Sequence, residues 1–431
     1  MSEYLSTEPY RGTRDFLPDE MSVRTQVFHR LYEVLERYGY QRYDGPQLEP
    51  VEIYESKSSQ EIVNQQLYTL TDHGGRRLAL RPEMTPSVAR MIAGNAGSLT
   101  FPVRWYSHPN CHRYERPQRG RVREHWQINV DLFGSSSTAV EVEFLELIHD
   151  MMASLGASTD MWRLRVSDRV LLDALLTHIV GVPHDKVRET ANLLDRWEKV
   201  SADTLAESAT EIGLSEEQFA RLAEVVKDGR AAIEELPVEV RNQSRLMQVL
   251  DTSAAELIEF DPLIVRGFDY YTSTVFEVFD TDPSNRRSLF GGGRYDNLVG
   301  LFSNKEIPGF GFGMGDVTII DFLDTHGLLP RPRTDVDVVV IPTAEQLFDP
   351  ARRAARVLRD AGLRVTTPLD TRKLGKEIQR ADKAGARAVV IVGPDDWVSE
   401  LVTVRDLASG EQHQTTLHAL DSSVRAIIPS E

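Results

Sequence analysis

The sequence predicts an α+β domain built around an antiparallel sheet and interrupted by a helical insertion, followed by a smaller α/β domain. Three observations support this assignment. Before Leu329, β-rich stretches and helices follow one another irregularly, as is typical of antiparallel α+β folds. Within that part, Ser201–Val240 is acidic and helical, with ten acidic residues against three basic ones. After the proline-containing segment Leu329–Asp335, strands and helices alternate regularly, which favours a mostly parallel sheet.

Length and composition indicate a folded, intracellular type of protein. The chain has 431 residues, 41% of them hydrophobic, and a formal net charge of −17, which is not the composition of a disordered chain. We expect neither a membrane span nor a secretory signal, because the apolar runs are short and the first residues are polar. Cys111 is the only cysteine, so an internal disulfide is impossible and a cytoplasmic location is expected. The acidic balance argues against DNA binding but permits RNA binding through a local basic patch.

The elements of the first domain follow from apolar periodicity. A helix is predicted at Val23–Tyr38, leading into an extended segment at Tyr40–Pro46. Ser215 and Gln218 form a capping box at the start of a helix in the acidic insertion. Further β-rich segments are predicted at Arg77–Leu80, Val103–Tyr106, Gln127–Leu132, Val265–Val278 and Gly309–Met314.

The second domain begins with a buried strand, Val336–Ile341. Asp349 and Pro350 are typical of the N-cap and first residue of a helix that ends at Gly362. Residues 351–390 carry eleven basic side chains against four acidic ones. The remaining predicted elements are a strand at Leu363–Thr367, a helix at Leu374–Ala384, a strand at Ala388–Val392 and a hairpin that starts at Leu401–Leu407 and turns at Ser409–Gly410.

Two glycine runs are candidates for ligand contact. Gly309–Gly315 reads GFGFGMG, and because alternate residues of a strand face opposite sides, one face buries two phenylalanines and a methionine while the other has no side chains. That bare face is either a flat floor for a planar ligand or a site of close backbone approach. Phe290–Asn297 reads FGGGRYDN, which indicates either approach to a ligand or a glycine-rich turn.

Three further segments carry polar groups suited to chemistry. His112–Arg123 holds five arginines and one glutamate, and its proline and glycine indicate a loop of the kind that binds phosphates. Arg266 lies in an apolar stretch, where it requires either an ion pair or a ligand. Glu83 and Thr85 precede a helix, as a cap or as ligands of an amine. By contrast, the spacing of His108, Cys111 and His112 fits no zinc pattern, and no metal site is predicted.

Together these segments resemble the histidyl-tRNA synthetases, a family of class II aminoacyl-tRNA synthetases. The helix from Val23 and the strand ending at Pro46 resemble class II motif 1. Motif 2 is similar to Val103–Gly134, and motif 3 to Pro308–Leu323. Two histidine-specific signatures are present as RGFDYY at Arg266–Tyr271 and GGGRYD at Gly291–Asp296.

The resemblance implies a class II catalytic domain at residues 1–328, a helical insertion at 168–258 within it, and a C-terminal α/β anticodon-binding domain at 335–431. It further implies a six-stranded antiparallel catalytic sheet and a homodimer whose interface includes motif 1. The implied reaction joins L-histidine to ATP, supplied with Mg²⁺, as histidyl-adenylate, and then transfers the histidyl group to the 3′ end of tRNA(His). No prosthetic group is implied.

The same resemblance assigns roles to individual residues. Arg113 and Arg266 would stabilise the charge that develops on the α-phosphate, and Arg121 would reach the terminal phosphates. Gly311 and Gly313 would form part of the ATP site. The residues implied around histidine are Glu83, Thr85, Gln127, Asp131, Tyr270 and Tyr271, with Tyr295 as a further candidate.

Two positions depart from the family pattern. Asp131 stands where the family usually has glutamate. Thr318 occupies the place of the motif 3 arginine that packs against ATP in class II enzymes, so we expect another arginine or a rearranged loop to supply that contact. Asp316 is predicted to be the N-cap of the motif 3 helix, with its carboxylate turned toward backbone N–H groups.

Three alternatives remain open from the sequence. One is the regulatory subunit of ATP phosphoribosyltransferase, which typically lacks the anticodon domain and the intact RGFDYY signature. Another is a synthetase paralogue that binds histidine or RNA without charging tRNA. The last is a class II synthetase for another amino acid, against which four features argue: Arg266, Tyr270, Tyr271 and the Gln127/Asp131 pair.

Overall fold

The protein is described here from a computed structural model, which covers residues 4–55, 62–265, 271–285, 287–333 and 336–428. It forms two compact units, Met1–Pro330 and Arg331–Glu431. Within the described ranges, none of the helices combines the length and the apolar character needed to cross a lipid bilayer. The helices of the first unit are α1 Pro18–Arg37, α2 Glu52–Glu55, α3 Thr85–Asn95, α4 Ala139–Ser154, α5 Arg169–Ala174, α6 Val187–Asp195, α7 Ala202–Glu211, α8 Glu216–Lys227, α9 Gly229–Glu235, α10 Val238–Arg241, α11 Arg245–Leu250 and α12 Asp316–Thr325.

The first unit is built on an antiparallel sheet. The strands of the first unit are β1 Gln41–Arg42, β2 Leu48–Pro50, β3 Thr69–Thr71, β4 Arg77–Leu80, β5 Val103–Ser107, β6 Asn110–His112, β7 Glu124–Phe133, β8 Trp162–Asp168, β9 Glu259–Phe260, β10 Thr274–Asp280, β11 Ser288–Arg294 and β12 Gly309–Gly315. Strands β2, β4 and β3 form a separate small sheet in that order, and the others belong to the main sheet. Six of them pair antiparallel in the order β5–β7–β12–β11–β10–β8, and β1 and β9 join the two edges in parallel. The predicted antiparallel catalytic sheet is therefore confirmed.

One face of this sheet is covered by helices. Phe310, Phe312 and Met314 of β12 are almost fully buried, and the ring of Phe144 on α4 lies 4.7 Å from that of Phe310, centroid to centroid. Helix α1 packs against α4 in the same layer, burying residues such as Leu31. The apolar face predicted for the GFGFGMG segment is confirmed, and its glycine face is turned away from the core.

Some element boundaries differ from those predicted. Helix α1 starts at Pro18 rather than Val23, because a proline is well suited to the first turn of a helix. The extended segment Tyr40–Pro46 contributes only the two-residue strand β1. In the stretch Val265–Val278, residues 266–270 lie outside the described ranges, and the strand β10 begins at Thr274.

The second glycine run is a strand and not a turn. Strand β11 covers most of Phe290–Asn297 and pairs with both β10 and β12. A Cβ atom added to Gly292 would lie 2.1 Å from the carbonyl oxygen of Gly311, and one added to Gly293 would lie 2.5 Å from the carbonyl oxygen of Thr274. These glycines are needed because neighbouring backbone leaves no room for a side chain.

The acidic insertion is a group of short helices, α6 to α11. The predicted capping box is confirmed at α8, where the Ser215 hydroxyl accepts from the Gln218 N–H at 3.1 Å and the Gln218 side chain accepts from the Ser215 N–H at 2.9 Å. Ser201 and Asp228 are side-chain N-caps of α7 and α9, accepting from the N–H groups of Thr204 and Ala231.

The second unit contains one mixed sheet, with two parallel and two antiparallel pairings among its described strands, and not the mostly parallel sheet predicted. Its elements are β13 Val338–Pro342, α13 Phe348–Asp360, β14 Val365–Thr366, α14 Leu374–Lys383, β15 Ala388–Val392, α15 Pro394–Val398, β16 Leu401–Asp406, β17 Gln412–Thr416 and α16 Leu420–Arg425. The strand order is β14–β13–β15–β16–β17, with β13 parallel to both neighbours and β15, β16 and β17 antiparallel. The prediction that Asp349 caps α13 is wrong, because a 3₁₀ turn at Glu345–Leu347 runs directly into the helix and Phe348 is already helical.

Arg294, the arginine of the GGGRYD segment, is a structural residue. Its guanidinium is fully buried and makes two 2.6 Å hydrogen bonds to the carboxylate of Glu141 on α4, together with a 3.2 Å ion pair with Asp296. The pair with Glu141 ties the central strand β11 to the helix behind the sheet.

We predict that Glu141→Gln destabilises the first unit by about 3–5 kcal/mol, because the substitution leaves a buried guanidinium with incomplete compensation. Urea unfolding followed by tryptophan fluorescence measures this, since four of the five tryptophans, Trp105, Trp126, Trp162 and Trp197, lie in the first unit. The matched control is Glu146→Gln, which makes the same change at an exposed position of α4. Equal stability of the two variants would contradict a stabilising role for the buried pair.

Candidate active site

A cleft of about 1060 Å³ opens over the glycine face of the sheet. Of the residues proposed from the sequence, those that line it are Glu83, Thr85, Arg113, Arg121, Gln127, Tyr271, Tyr295, Gly311 and Gly313. Asp131 lies beneath this lining. Arg266 and Tyr270 fall in residues 266–270, outside the described ranges.

The glycines of β12 make room for protein side chains as well as for a ligand. A Cβ atom on Gly313 would lie 1.7 Å from the Gln127 amide nitrogen, and one on Gly311 would lie 2.4 Å from the Tyr295 hydroxyl. The predicted flat, bare floor is therefore partly occupied, with Gln127 and Tyr295 filling the space above these two glycines.

Asp131 forms a buried acidic centre under Tyr295. Its carboxylate is 1% exposed, accepts a hydrogen bond from the Tyr295 hydroxyl, and lies 3.5 Å from the Tyr43 hydroxyl. Burial raises the pKa of Asp131 to about 7, although the hydrogen bonds from Tyr295 and Tyr43 act in the opposite direction. The carboxyl group can therefore change its protonation state near neutral pH.

Glu83 and Thr85 lie at the start of α3, next to Arg113. The N-cap residue of α3 is Met84, which makes no side-chain cap, so the interpretation of Glu83 and Thr85 as a helix cap is wrong. Glu83 is almost fully buried and lines the cleft. Arg113 donates from Nε to the carbonyl oxygen of Pro82 at 3.0 Å, which places its guanidinium beside this group. Within the described ranges, Arg113 makes no ion pair with a carboxylate.

The arginine-rich loop folds back as a tight turn, with Gln118 and Arg121 exchanging backbone hydrogen bonds. Arg121 lies on the cleft and is 3.3 Å from the Glu115 carboxylate. Arg119 points elsewhere, forming a two-point ion pair with Asp321 of α12. The five arginines therefore have different roles, and only some of them are available to a ligand in the cleft.

Asp316 is not the N-cap of α12, contrary to the prediction. Gly315 holds the N-cap position, and the fully buried Asp316 carboxylate pairs with Arg14 at 2.9 Å and Arg24 at 2.7 Å. It also accepts from the Trp126 N–H at 3.1 Å. The carboxylate is therefore neutralised by arginines from the segment before α1 and from α1 itself, and not by the backbone N–H groups of α12.

Thr318, at the place of the family's arginine, makes only local contacts. Its hydroxyl donates to the carbonyl oxygen of Leu289 at 2.6 Å and lies 3.2 Å from that of Gly315. Arg287 and His125 are among the further residues that line the cleft and that sequence reasoning missed. Burial, followed by repulsion from Arg113, lowers the pKa of His125 to about 3, so this imidazole is neutral at physiological pH.

The structure also bears on metal binding. Among residues 4–55, 62–265, 271–285, 287–333 and 336–428, no cluster of three or more His, Cys, Asp or Glu side chains is arranged to hold a metal ion. Cys111 is buried, and His108 is hydrogen-bonded to Tyr32.

Comparisons with known proteins follow the same division into two units. The family model described as Histidyl-tRNA synthetase matches residues 12–317, and the model described as Anticodon binding domain matches residues 337–427. A histidine–tRNA ligase of Leptospira biflexa is 39% identical over 423 residues, covering 95% of each chain. That of Pyrococcus horikoshii is 35% identical over 434 residues, covering 98% of this chain and 99% of the relative.

Solved structures agree with these relatives. A histidyl-tRNA synthetase from Nostoc sp. PCC 7120 matches with a TM-score of 0.81 and 25% identity, covering 98% of this chain and 100% of that one. The apo histidyl-tRNA synthetase of S. aureus, 23% identical, matches with a TM-score of 0.72 over 97% of this chain and all of its own length, and shows the shared fold.

We predict that Asp131 makes stability depend on pH. An aspartate in an unfolded chain titrates near about 3.9, well below its pKa of about 7 in the folded protein. The folded state therefore holds the proton more tightly, and the free energy of unfolding falls as pH rises from about 4 to about 7 and changes no further above that. Asp131→Asn removes the pH dependence that this carboxyl group contributes. The effect is measured as the difference in unfolding free energy between wild type and variant at each pH in that range. A difference that does not change with pH, or that changes with the opposite sign, would contradict the raised pKa.

Proposed function

The chain belongs to the histidyl-tRNA synthetase family and acts as a histidine–tRNA ligase, and from this premise we propose how its residues divide the work. The reaction joins L-histidine to ATP as histidyl-adenylate and transfers the histidyl group to the 3′ end of tRNA(His). The regulatory-subunit and non-catalytic alternatives are not favoured, because relatives named as ligases match over nearly the whole chain and the anticodon-binding domain is present.

We propose that Arg113 and Arg266 stabilise the transition state of adenylate formation. When the histidine carboxylate attacks the α-phosphate, negative charge builds up there and pyrophosphate leaves. A positioned guanidinium favours that charge without having to reorganise. Support for Arg113 comes from its place on the cleft, its fixed Nε–Pro82 contact and the lack of an ion pair within the described ranges. The role of Arg266 rests on the family signature.

Histidine is assigned to the part of the cleft between α3 and the glycine strands. Glu83, Thr85 and Gln127 are suited to the α-amino group, since a carboxylate and two neutral oxygens accept hydrogen bonds from an ammonium. Asp131 is assigned to the imidazole, which it reaches through the Tyr295 hydroxyl rather than directly. Tyr270 and Tyr271 are assigned to the walls of this pocket, and the ring of Tyr271 lies 6.3 Å from that of Tyr295, centroid to centroid.

ATP is assigned to the other end of the cleft. It enters as its Mg²⁺ complex, and the ion is part of the substrate. Gly311 and Gly313 are assigned to the ATP site because they carry no side chains that would fill it. Arg121 is assigned to the terminal phosphates. The second unit, which matches an anticodon-binding domain, is assigned to tRNA(His).

Two broader features belong to the same proposal. We infer a homodimer, because α1 resembles motif 1 and the segment leading into it exposes large apolar side chains, with Leu5 95% and Leu17 69% exposed. We also infer a cytoplasmic location, since a chain with a single cysteine forms no internal disulfide, as is typical of proteins of a reducing compartment.

The observation that carries the proposal is a polar cleft that combines a buried acid, a glycine-lined sheet and Arg113, which makes no ion pair within the described ranges. It is tested by exchange of labelled pyrophosphate into ATP in the presence of histidine. Exchange is expected with histidine and not with other amino acids. Absence of exchange under conditions where histidine binds would support a non-catalytic paralogue.

We predict that Arg113→Ala lowers the rate of histidine-dependent exchange about 10²–10³-fold, because one preorganised charge at the transition state is lost. The matched control is Arg116→Ala, which removes an exposed arginine of the same loop that does not line the cleft. Near-normal exchange by a folded Arg113→Ala protein, or an equal loss in the control, would contradict the assigned role.

A further inference from the structure

The side chain at the motif 3 position, Thr318, is not a cation. Thr318 carries no charge, and its hydroxyl is engaged with the Leu289 and Gly315 carbonyl oxygens. Any positive charge beside the first turn of α12 must therefore come from another element.

Arg287 lies close to the start of α12, next to Thr318. It directly precedes β11, and the antiparallel register that sets Phe290 opposite Met314 brings the residue before β11 next to the start of α12. A Cβ atom on Gly120 would lie 3.5 Å from the Arg287 side chain and 3.9 Å from that of Thr318. The arginine-rich loop, Arg287 and Thr318 thus meet at one point on the cleft wall.

The charges around Arg287 are unbalanced. In the described part of the chain, no carboxylate forms an ion pair with its guanidinium. Glu115 attracts Arg287 electrostatically, but its carboxylate already pairs with Arg121 at 3.3 Å. Of the acids of α12, Asp316 pairs with Arg14 and Arg24, and Asp321 pairs with Arg119. Arg287 is an exposed residue, and partial desolvation, followed by repulsion from Arg121, lowers its pKa. Two neighbouring guanidinium groups of this kind are stabilised when an anion lies between them.

We propose that Arg287 binds the terminal phosphates of ATP together with Arg121, supplying the cation that Thr318 cannot. The inference rests on the proposed function. In adenylate formation a carboxylate oxygen of histidine bonds to the α-phosphorus, the bond from that phosphorus to the bridging oxygen breaks, and pyrophosphate leaves with the electron pair. No proton is transferred, so stabilising the leaving group requires only positive charge, which Arg287 provides.

The test compares Arg287→Gln and Arg287→Lys with wild type in histidine-dependent pyrophosphate exchange. For Arg287→Gln, the KM values for ATP and for pyrophosphate should each rise about 10–100-fold, the loss expected for one charge-assisted hydrogen bond. The KM for histidine should be unchanged, and Arg287→Lys should fall between the two. Arg163→Gln is the matched control, because Arg163 is a half-buried arginine of the same sheet that pairs with Glu259 and does not line the cleft.

Binding of an unreactive sulfamoyl analogue of histidyl-adenylate separates phosphate contact from a structural effect. The analogue lacks the terminal phosphates, so its affinity should be the same for wild type and Arg287→Gln. Unchanged KM values for ATP and pyrophosphate in Arg287→Gln, or an equal loss of analogue affinity, would overturn the inference. Failure of the wild-type protein to exchange with histidine is a different result, which counts against the proposed function itself.

Discussion

The arrangement of the cleft depends on the absence of side chains along one face of β11 and β12. Gly293 of β11 lies opposite Gly311 of β12 on this face. A Cβ atom on either glycine would lie 2.5 Å from a neighbouring carbonyl oxygen, and backbone cannot yield as a flexible side chain can. Because these glycines carry no side chains, the side chains of Gln127 and Tyr295 can lie directly on the sheet surface. The opposite face carries Phe310 and Phe312 into the core, so a single alternating segment both anchors the sheet and opens the site.

A second requirement is local positive charge in a chain whose net charge is −17. The acids near the cleft are neutralised by specific partners, most clearly Asp316 by Arg14 and Arg24. These ion pairs also connect helix α12 to helix α1 and to the segment before it. The same contacts therefore neutralise the Asp316 charge and hold the motif 1 and motif 3 elements together. Carboxylates farther away act only weakly, because exposed charges beyond a Debye length of about 8–10 Å are screened. We therefore expect a polyphosphate bound in the cleft to interact with the arginines that line it, and to be affected little by the negative net charge of the whole protein.

The sequence predicts what is local in the chain, and its errors are non-local. The two faces of Gly309–Gly315 and the Ser215 capping box follow from residue spacing alone, and the structure confirms both. Asp316 was predicted wrongly because its partners lie 302 and 292 residues away in the chain. Arg287 was missed for a related reason, since only the register of β11 against β12 shows that it adjoins Thr318. Most of the proposed site residues do line one cleft, and that group came from recognising family motifs rather than from physical chemistry applied to single residues.

The most direct test of this account is a crystal structure of the protein with histidine and a non-hydrolysable ATP analogue bound. We expect the α-amino group beside Glu83 and Gln127, the imidazole against Tyr295 above Asp131, the α-phosphate on Arg113, and the terminal phosphates between Arg121 and Arg287. Nucleotide bound elsewhere, or histidine outside the space between α3 and the glycine strands, would contradict it.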